Sequence, residues 1–198
     1  MKCSKDVKIK DMKDEKDVKQ QPSSVAPAQS LSVERLVSVL STTLDIAFCQ
    51  GFVQPAIIDG KTHSSTFMFQ CKTKPDMKLQ DYLTRIVKYT DVSGEALILS
   101  MIHINRIYRL LPNFPVNLLT IHRLLLTSVL ISAKFYDDRF LNNARYARVG
   151  GVDKKEMNVL EVELLFLLDF DLFVTTEEYH KIYRELVLSN PLLIKDTF

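Results

Sequence analysis

Two ionisable residues stand out by their surroundings. Lys134 closes an apolar run in ISAKFY, and Glu161 interrupts another in NVLEVELLFLL. Either charge, left unpaired in a core, would be strongly destabilising. Two arrangements avoid this. Each residue could lie on a solvent stripe, with the lysine snorkelling outward. Alternatively, the two pair across adjacent helices as a rigid polar spot within an apolar surface. The second arrangement has the chemistry of a docking face, in which apolar anchors supply affinity and a fixed charge pair supplies register.

The other reactive side chains do not assemble. None of His63, His103, His122 and His180 has a second His, a Cys or a suitable carboxylate at metal-ligand spacing. His103 falls on a strongly apolar helix, where a hydrogen-bonded core histidine is expected. Cys3, Cys49 and Cys71 are widely spaced and form no CxxC pair, which argues for reduced thiols and against zinc. Glu161 and Glu163 lie two apart on one helix and point in different directions, so they cannot act as an acid–base pair. Asp137 and Asp138 follow a helix end, where a solvated pair is expected. Gly150 and Gly151 follow a helix and read as its stop, not as a phosphate-binding loop. No serine or cysteine stands beside an evident base. The expectation is a protein that is not an enzyme, with no cofactor, no bound metal and no small-molecule substrate.

Composition bounds the class. The chain has 198 residues, 46% of them hydrophobic, and a formal net charge of +2. That is enough for one domain with a sizeable core, but not the concentrated basic balance of a nucleic-acid binder. Charges break the apolar stretches, so no membrane span is expected. The opening MKCSKDVKIKDMKDEKDVKQ has no apolar core of a signal peptide. An intracellular protein of the cytoplasm or nucleus is expected.

The elements that would position Lys134 and Glu161 follow from periodicity. Residues 1–30 mix alternating charges with QPSSVAPAQS and read as a disordered tail. A helix opens at Ser32 within residues 31–50, with Val33, Leu36, Val37, Leu40, Leu44 and Ala47 on one stripe. Residues 51–75 lose periodicity and read as an irregular segment, with TFMFQ able to pack locally or pair as a short strand. LQDYLTRIVKY places Leu79, Tyr82, Leu83 and Ile86 on one face. A helix from Ala96 to Leu111 is apolar on nearly every side and is therefore buried. The next begins after Asn117, taken as its N-cap, and reaches Tyr136. A short helix covers NNARYARV. KEMNVLEVELLFLLD follows, opened by an Asp153/Glu156 capping box and again apolar on most faces. TEEYHKIYRELVL follows Thr175. The class is all-α. Helices apolar all round need neighbours on several sides, which implies a bundle around a central helix.

The segments LQDYLTRIVKYT, LILSMIHINRIYRL, LLTIHRLLLTSVLISAKFYDD, NNARYARVGGV and EVELLFLLDFDL resemble, in order and spacing, a cyclin box of the P-type group. The resemblance implies a cyclin-box five-helix bundle over residues 76–173. Flanking helices would come before it and, in residues 174–198, after it. It implies a regulatory subunit that binds a cyclin-dependent protein kinase as a heterodimer and activates it by clamping its αC helix. By local alignment, the kinase contacts map onto Lys134 and Glu161, with Ile131, Phe135, Leu165, Phe170 and Leu172 as apolar contacts. Core packing would explain Leu165 and Leu172 equally well. Two features depart from the family. Asn105 stands where an aspartate is usual, and LQDYLTRIV lacks the Met-Arg-Ala-Ile-Leu patch that docks RxL-type substrates. One box is expected. A non-activating cyclin-fold scaffold and a nucleic-acid-binding cyclin-fold protein are the alternatives.

Overall fold

A computed structural model describes residues 32–49, 68–111, 114 and 116–188. Among the described residues the chain forms seven helices of eight residues or more and no strand. They are α1 (Val33–Cys49), α2 (Leu79–Thr90), α3 (Gly94–Leu110), α4 (Ile121–Tyr136), α5 (Asn143–Gly150), α6 (Lys154–Leu167) and α7 (Thr176–Leu188). The all-α class and the order of helices agree with the sequence reading. The tail at 1–30 and most of the irregular segment lie outside the described residues.

α4 is the central element. It packs on α2, α3, α5 and α6, and its side chains from Leu124 to Ala133 are buried without a break. The apolar runs of α3 and α4 are explained by this enclosure, since the two form the most extensive helix pair. Burying a Leu or Ile side chain fully contributes about 1.5–3 kcal/mol, so these two helices hold much of the apolar driving force. The stripe on α1 is core: Leu36, Val37, Leu40 and Leu44 are buried, while Glu34 and Asp45 are exposed. Near its margin, Phe69 is fully buried and meets Phe114 edge-on at 5.9 Å, so the described end of TFMFQ packs locally.

The helix ends obey local chemistry, with three departures from expectation. Ser93, Asn142 and Asp153 cap α3, α5 and α6, and each side chain accepts a first-turn N–H. Gly151 closes α5 at φ 74°, a left-handed position that glycine adopts without strain. Asn117, however, does not cap α4. Its Oδ1 accepts from Leu119 N–H within a turn, and the helix begins at Ile121. Glu156 does not complete a capping box either; it reaches across to Arg123 instead. Asp137 is not a solvated helix-end residue. Its carboxylate accepts from the Ser93 hydroxyl at 2.5 Å and from the Ser93 N–H at 3.3 Å, tying the C-terminus of α4 to the N-terminus of α3.

α6, read from the sequence as apolar on most faces, is covered on only part of them. Met157, Leu160 and Leu164 face the core, on α4 and α5. Val159, Val162 and Phe166 are exposed. The helix has two apolar faces, and the described residues cover one.

Candidate functional site

The site is built on α4 and α6 and on the turn between α6 and α7. Lys134 sits in the last turn of α4, where a basic side chain also suits the helix dipole. Glu161 lies mid-way along α6, facing α4. Its Oε1 accepts from Lys134 Nζ at 2.6 Å. Its Oε2 accepts from Asn143 Nδ2 at 2.7 Å, and the same amide donates to Asn158 Oδ1 at 2.8 Å. Both carboxylate oxygens are thus engaged, from two directions. Lys134 keeps 30% of its side chain exposed and Glu161 keeps 17%. The ammonium has three protons, and one bond is made to the described residues. The other two protons meet no acceptor among the described residues.

The elements that carry the pair also carry exposed aromatic side chains. Phe135 is 53% exposed, Phe166 63%, Phe170 58% and Phe173 66%. Phe166 and Phe170 meet edge-to-face at 5.2 Å, and Phe135 meets Tyr136 at 4.9 Å. Val162, one turn before Phe166, extends the surface along α6, and Leu165 is half-buried beside it. Large aromatic groups held this far out of the core make this stretch the candidate interaction surface, because a lone chain gains nothing from wetting them.

Of the seven residues expected at the site, Lys134, Glu161, Phe135, Leu165 and Phe170 keep part of their side chains exposed. Ile131 and Leu172 do not. They are 2% and 8% exposed and belong to the core, Ile131 on the enclosed side of α4. They support the surface from behind. The sequence reading missed Asn143, Asn158, Val162, Phe166 and Phe173. The i, i+4 spacing of Val162 and Phe166, continued by Phe170, was the available signal.

The turn after α6 is held from several sides. Asp169 and Phe170 adopt left-handed backbone angles of φ 51° and 57°. His103 Nε2 lies 3.3 Å from the Leu172 carbonyl, and its Nδ1 lies 3.0 Å from Ser132 Oγ. The expectation of a hydrogen-bonded core histidine is met. Burial holds its pKa down to about 4, so the neutral ring is the resident form. The Tyr136 hydroxyl donates to the Leu172 carbonyl at 2.7 Å and accepts from Val174 N–H at 2.8 Å. Arg106 completes the set, bonding Glu178, the Asp171 carbonyl and the Phe173 carbonyl. Asn105 is exposed, so the amide that replaces the family's usual acid lies at the surface.

No group of three or more His, Cys, Asp or Glu among the described residues could hold a metal ion. No helix among them is long and apolar enough to cross a membrane.

The described residues thus form a helical bundle around a buried central helix, with exposed aromatic side chains on the elements that carry the charged couple. The cyclin family model matches residues 7–172, and the chain belongs to the cyclin family. It is similar to Cyclin-U4-1 of Arabidopsis thaliana, with 40% identity over 129 residues, covering 63% of this chain and 64% of that protein. Cyclin-P3-1 of Oryza sativa subsp. japonica is 41% identical over 136 residues, covering 69% and 57% respectively. Cyclin-P4-1 of the same plant is 39% identical over 145 residues, covering 73% and 68%. The chain thus spans less than two thirds of the length of the first two relatives.

Proposed function

We propose that the chain is a cyclin-type regulatory subunit that binds a cyclin-dependent protein kinase through the α4–α6 surface and activates it. The observation that carries this reading is the Lys134–Glu161 couple on the same helices and following turn as four half-exposed phenylalanines. Asn143 holds the Glu161 carboxylate, which in turn holds the ammonium and leaves two of its donors without a described acceptor. The phenylalanines offer the apolar area that a partner helix needs.

Kinase physics supplies the mechanism. Catalysis requires the Lys–Glu pair between strand β3 and the αC helix to form together with the magnesium-binding aspartate. A partner that binds the αC-in form better shifts the population towards it. Moving the balance from 1:99 to 99:1 requires a differential affinity of about 10⁴-fold. A few aromatic anchors, each of which contributes about 2 kcal/mol or more as a hot spot, reach that range when they engage only the αC-in form. The phenylalanines would grip αC, and the Lys134 ammonium would bond its backbone carbonyls. The chain itself performs no catalytic step in this reading. It would act where such kinases act, in the cytoplasm or nucleus.

The test is affinity purification on the full chain followed by a phosphorylation assay on the recovered complex. Recovery of a cyclin-dependent kinase whose activity depends on the chain is expected. A Phe166→Ala chain, folded as wild type, should recover markedly less. Equal recovery by both chains would remove the α4–α6 surface from the account. Recovery without stimulation would make the chain a scaffold.

A further inference from the structure

The turn between α6 and α7 presents Phe170 and Phe173, yet its own backbone favours neither position. Two consecutive non-glycine residues, Asp169 and Phe170, sit in the left-handed region, at φ 51° and 57°. Such a conformation persists only when its surroundings impose it. Part of the restraint is local: Phe170 N–H bonds the Leu165 carbonyl at 2.8 Å, and Asp171 N–H bonds the Leu168 carbonyl at 2.9 Å. The rest comes from side chains of α3 and α4, with Arg106 making the most bonds.

Arg106 projects from the C-terminal half of α3 to the far end of this turn. Nη1 donates to the Asp171 carbonyl at 2.9 Å, and Nη2 donates to the Phe173 carbonyl at 2.8 Å. Nη2 and Nε also engage the Glu178 carboxylate, at 2.6 and 3.3 Å. The guanidinium therefore spans two carbonyls that flank Leu172 and locks them to the first turn of α7. It is 17% exposed. A planar fork with five donors can make these bonds at once; a lysine ammonium at the end of a flexible stem cannot. The Leu172 carbonyl between them goes to Tyr136 and His103, so three successive carbonyls are held by side chains of α3 and α4.

We infer that Arg106 is a positioning residue: it sets the direction in which Phe170 and Phe173 leave the turn, and Glu178 is its anchor. This rests on the reading of the aromatic surface as a kinase-docking face, and it names a residue that touches no partner yet determines how tightly one is held.

Two readouts separate this role from a merely structural one. The first needs no partner. The full chain is produced with 4-fluorophenylalanine, and the fluorine resonances of Phe170 and Phe173 are compared between wild type and Arg106→Lys. Those two lines should shift or broaden, while the lines of the core residues Phe69 and Phe114 stay in place. Unchanged Phe170 and Phe173 lines would overturn the inference. The second is a binding cycle against the kinase recovered on the wild-type chain. Arg106→Lys should weaken binding by about tenfold, and it should add little in a chain that already carries Phe170→Ala and Phe173→Ala. Full additivity would mean that Arg106 does not act through the phenylalanines, and would equally overturn it. Should Arg106→Lys fail to fold, Glu178→Gln removes the anchor's charge and carries the same readouts. If Phe166→Ala leaves binding intact, the docking reading fails. The fluorine comparison still decides whether Arg106 orients the turn.

Discussion

Glu161 holds Lys134 at 2.6 Å through one oxygen and Asn143 at 2.7 Å through the other, so a single carboxylate joins the ends of α4 and α5 to the middle of α6. Both side chains of the couple keep part of their surface in water. Partly exposed pairs contribute at most about 1 kcal/mol to stability. Lys134→Ala should therefore lower the urea midpoint only slightly, while weakening kinase binding by a much larger factor. Glu161→Ala should cost more stability than Lys134→Ala, because it also removes one of the two acceptors of the buried Asn143 amide. Parallel unfolding and pull-down measurements check both. Equal and large stability losses in the two variants would show that the couple is a structural bolt.

Phe166 provides the converse case. It is exposed and outside the core, so Phe166→Ala should leave stability within about 0.5 kcal/mol of wild type. Binding should fall at least about tenfold, as for an aromatic anchor. Chemical unfolding and titration with the recovered kinase make the comparison.

His103 predicts a pH dependence. Its pKa in the folded chain is about 4, below the usual 6.5, chiefly because burial disfavours the charged ring. The unfolded chain therefore binds more protons between these values. The stabilisation is fully present above pH 6.5 and is lost as pH falls through 4, reaching about 3 kcal/mol. Urea unfolding at pH 7 and near pH 4.5 should show the loss. In His103→Gln the acid-dependent part of that loss should shrink. An unchanged profile in the variant would assign the effect to other groups.

Gly150 packs directly on Leu126 of the central helix. A methyl group there would overlap the Leu126 side chain, which is fully buried and has nowhere to move. Gly150→Ala should destabilise the chain by about 1–3 kcal/mol, the usual range for overpacking. In a Leu126→Ala background the same change should be nearly neutral or stabilising, since the added methyl then fills part of a cavity. Thermal melts of the four chains test the coupling.

Much of this was legible in advance because helix signals are local. Ser32, Asn142, Asp153 and Thr175 sit where helices start, and Gly151 where one stops, since capping and left-handed glycine involve only neighbours along the chain. The same locality explains the errors. Asn117 and Glu156 have the right type and spacing for caps, but Asn117 is taken by an earlier turn and Glu156 by Arg123 from α4. Asp137 looked solvated until Ser93, distant in sequence, came within hydrogen-bonding reach. Ile131 and Leu172 matched the docking motif, yet their orientation is fixed by the packing of α4 and of the α6–α7 turn.

The sequence by itself determined an all-helical chain, the order and approximate limits of its helices, and two charges that needed an explanation. Those follow from a period of 3.6 residues and from the cost of leaving an ion unpaired. Only the tertiary structure decided which apolar face of α6 is covered, which residues share the Glu161 carboxylate, and which side chain holds the turn of Phe170 and Phe173. Each of these depends on groups that meet only after distant segments have packed, and no local pattern along the chain encodes which neighbour arrives.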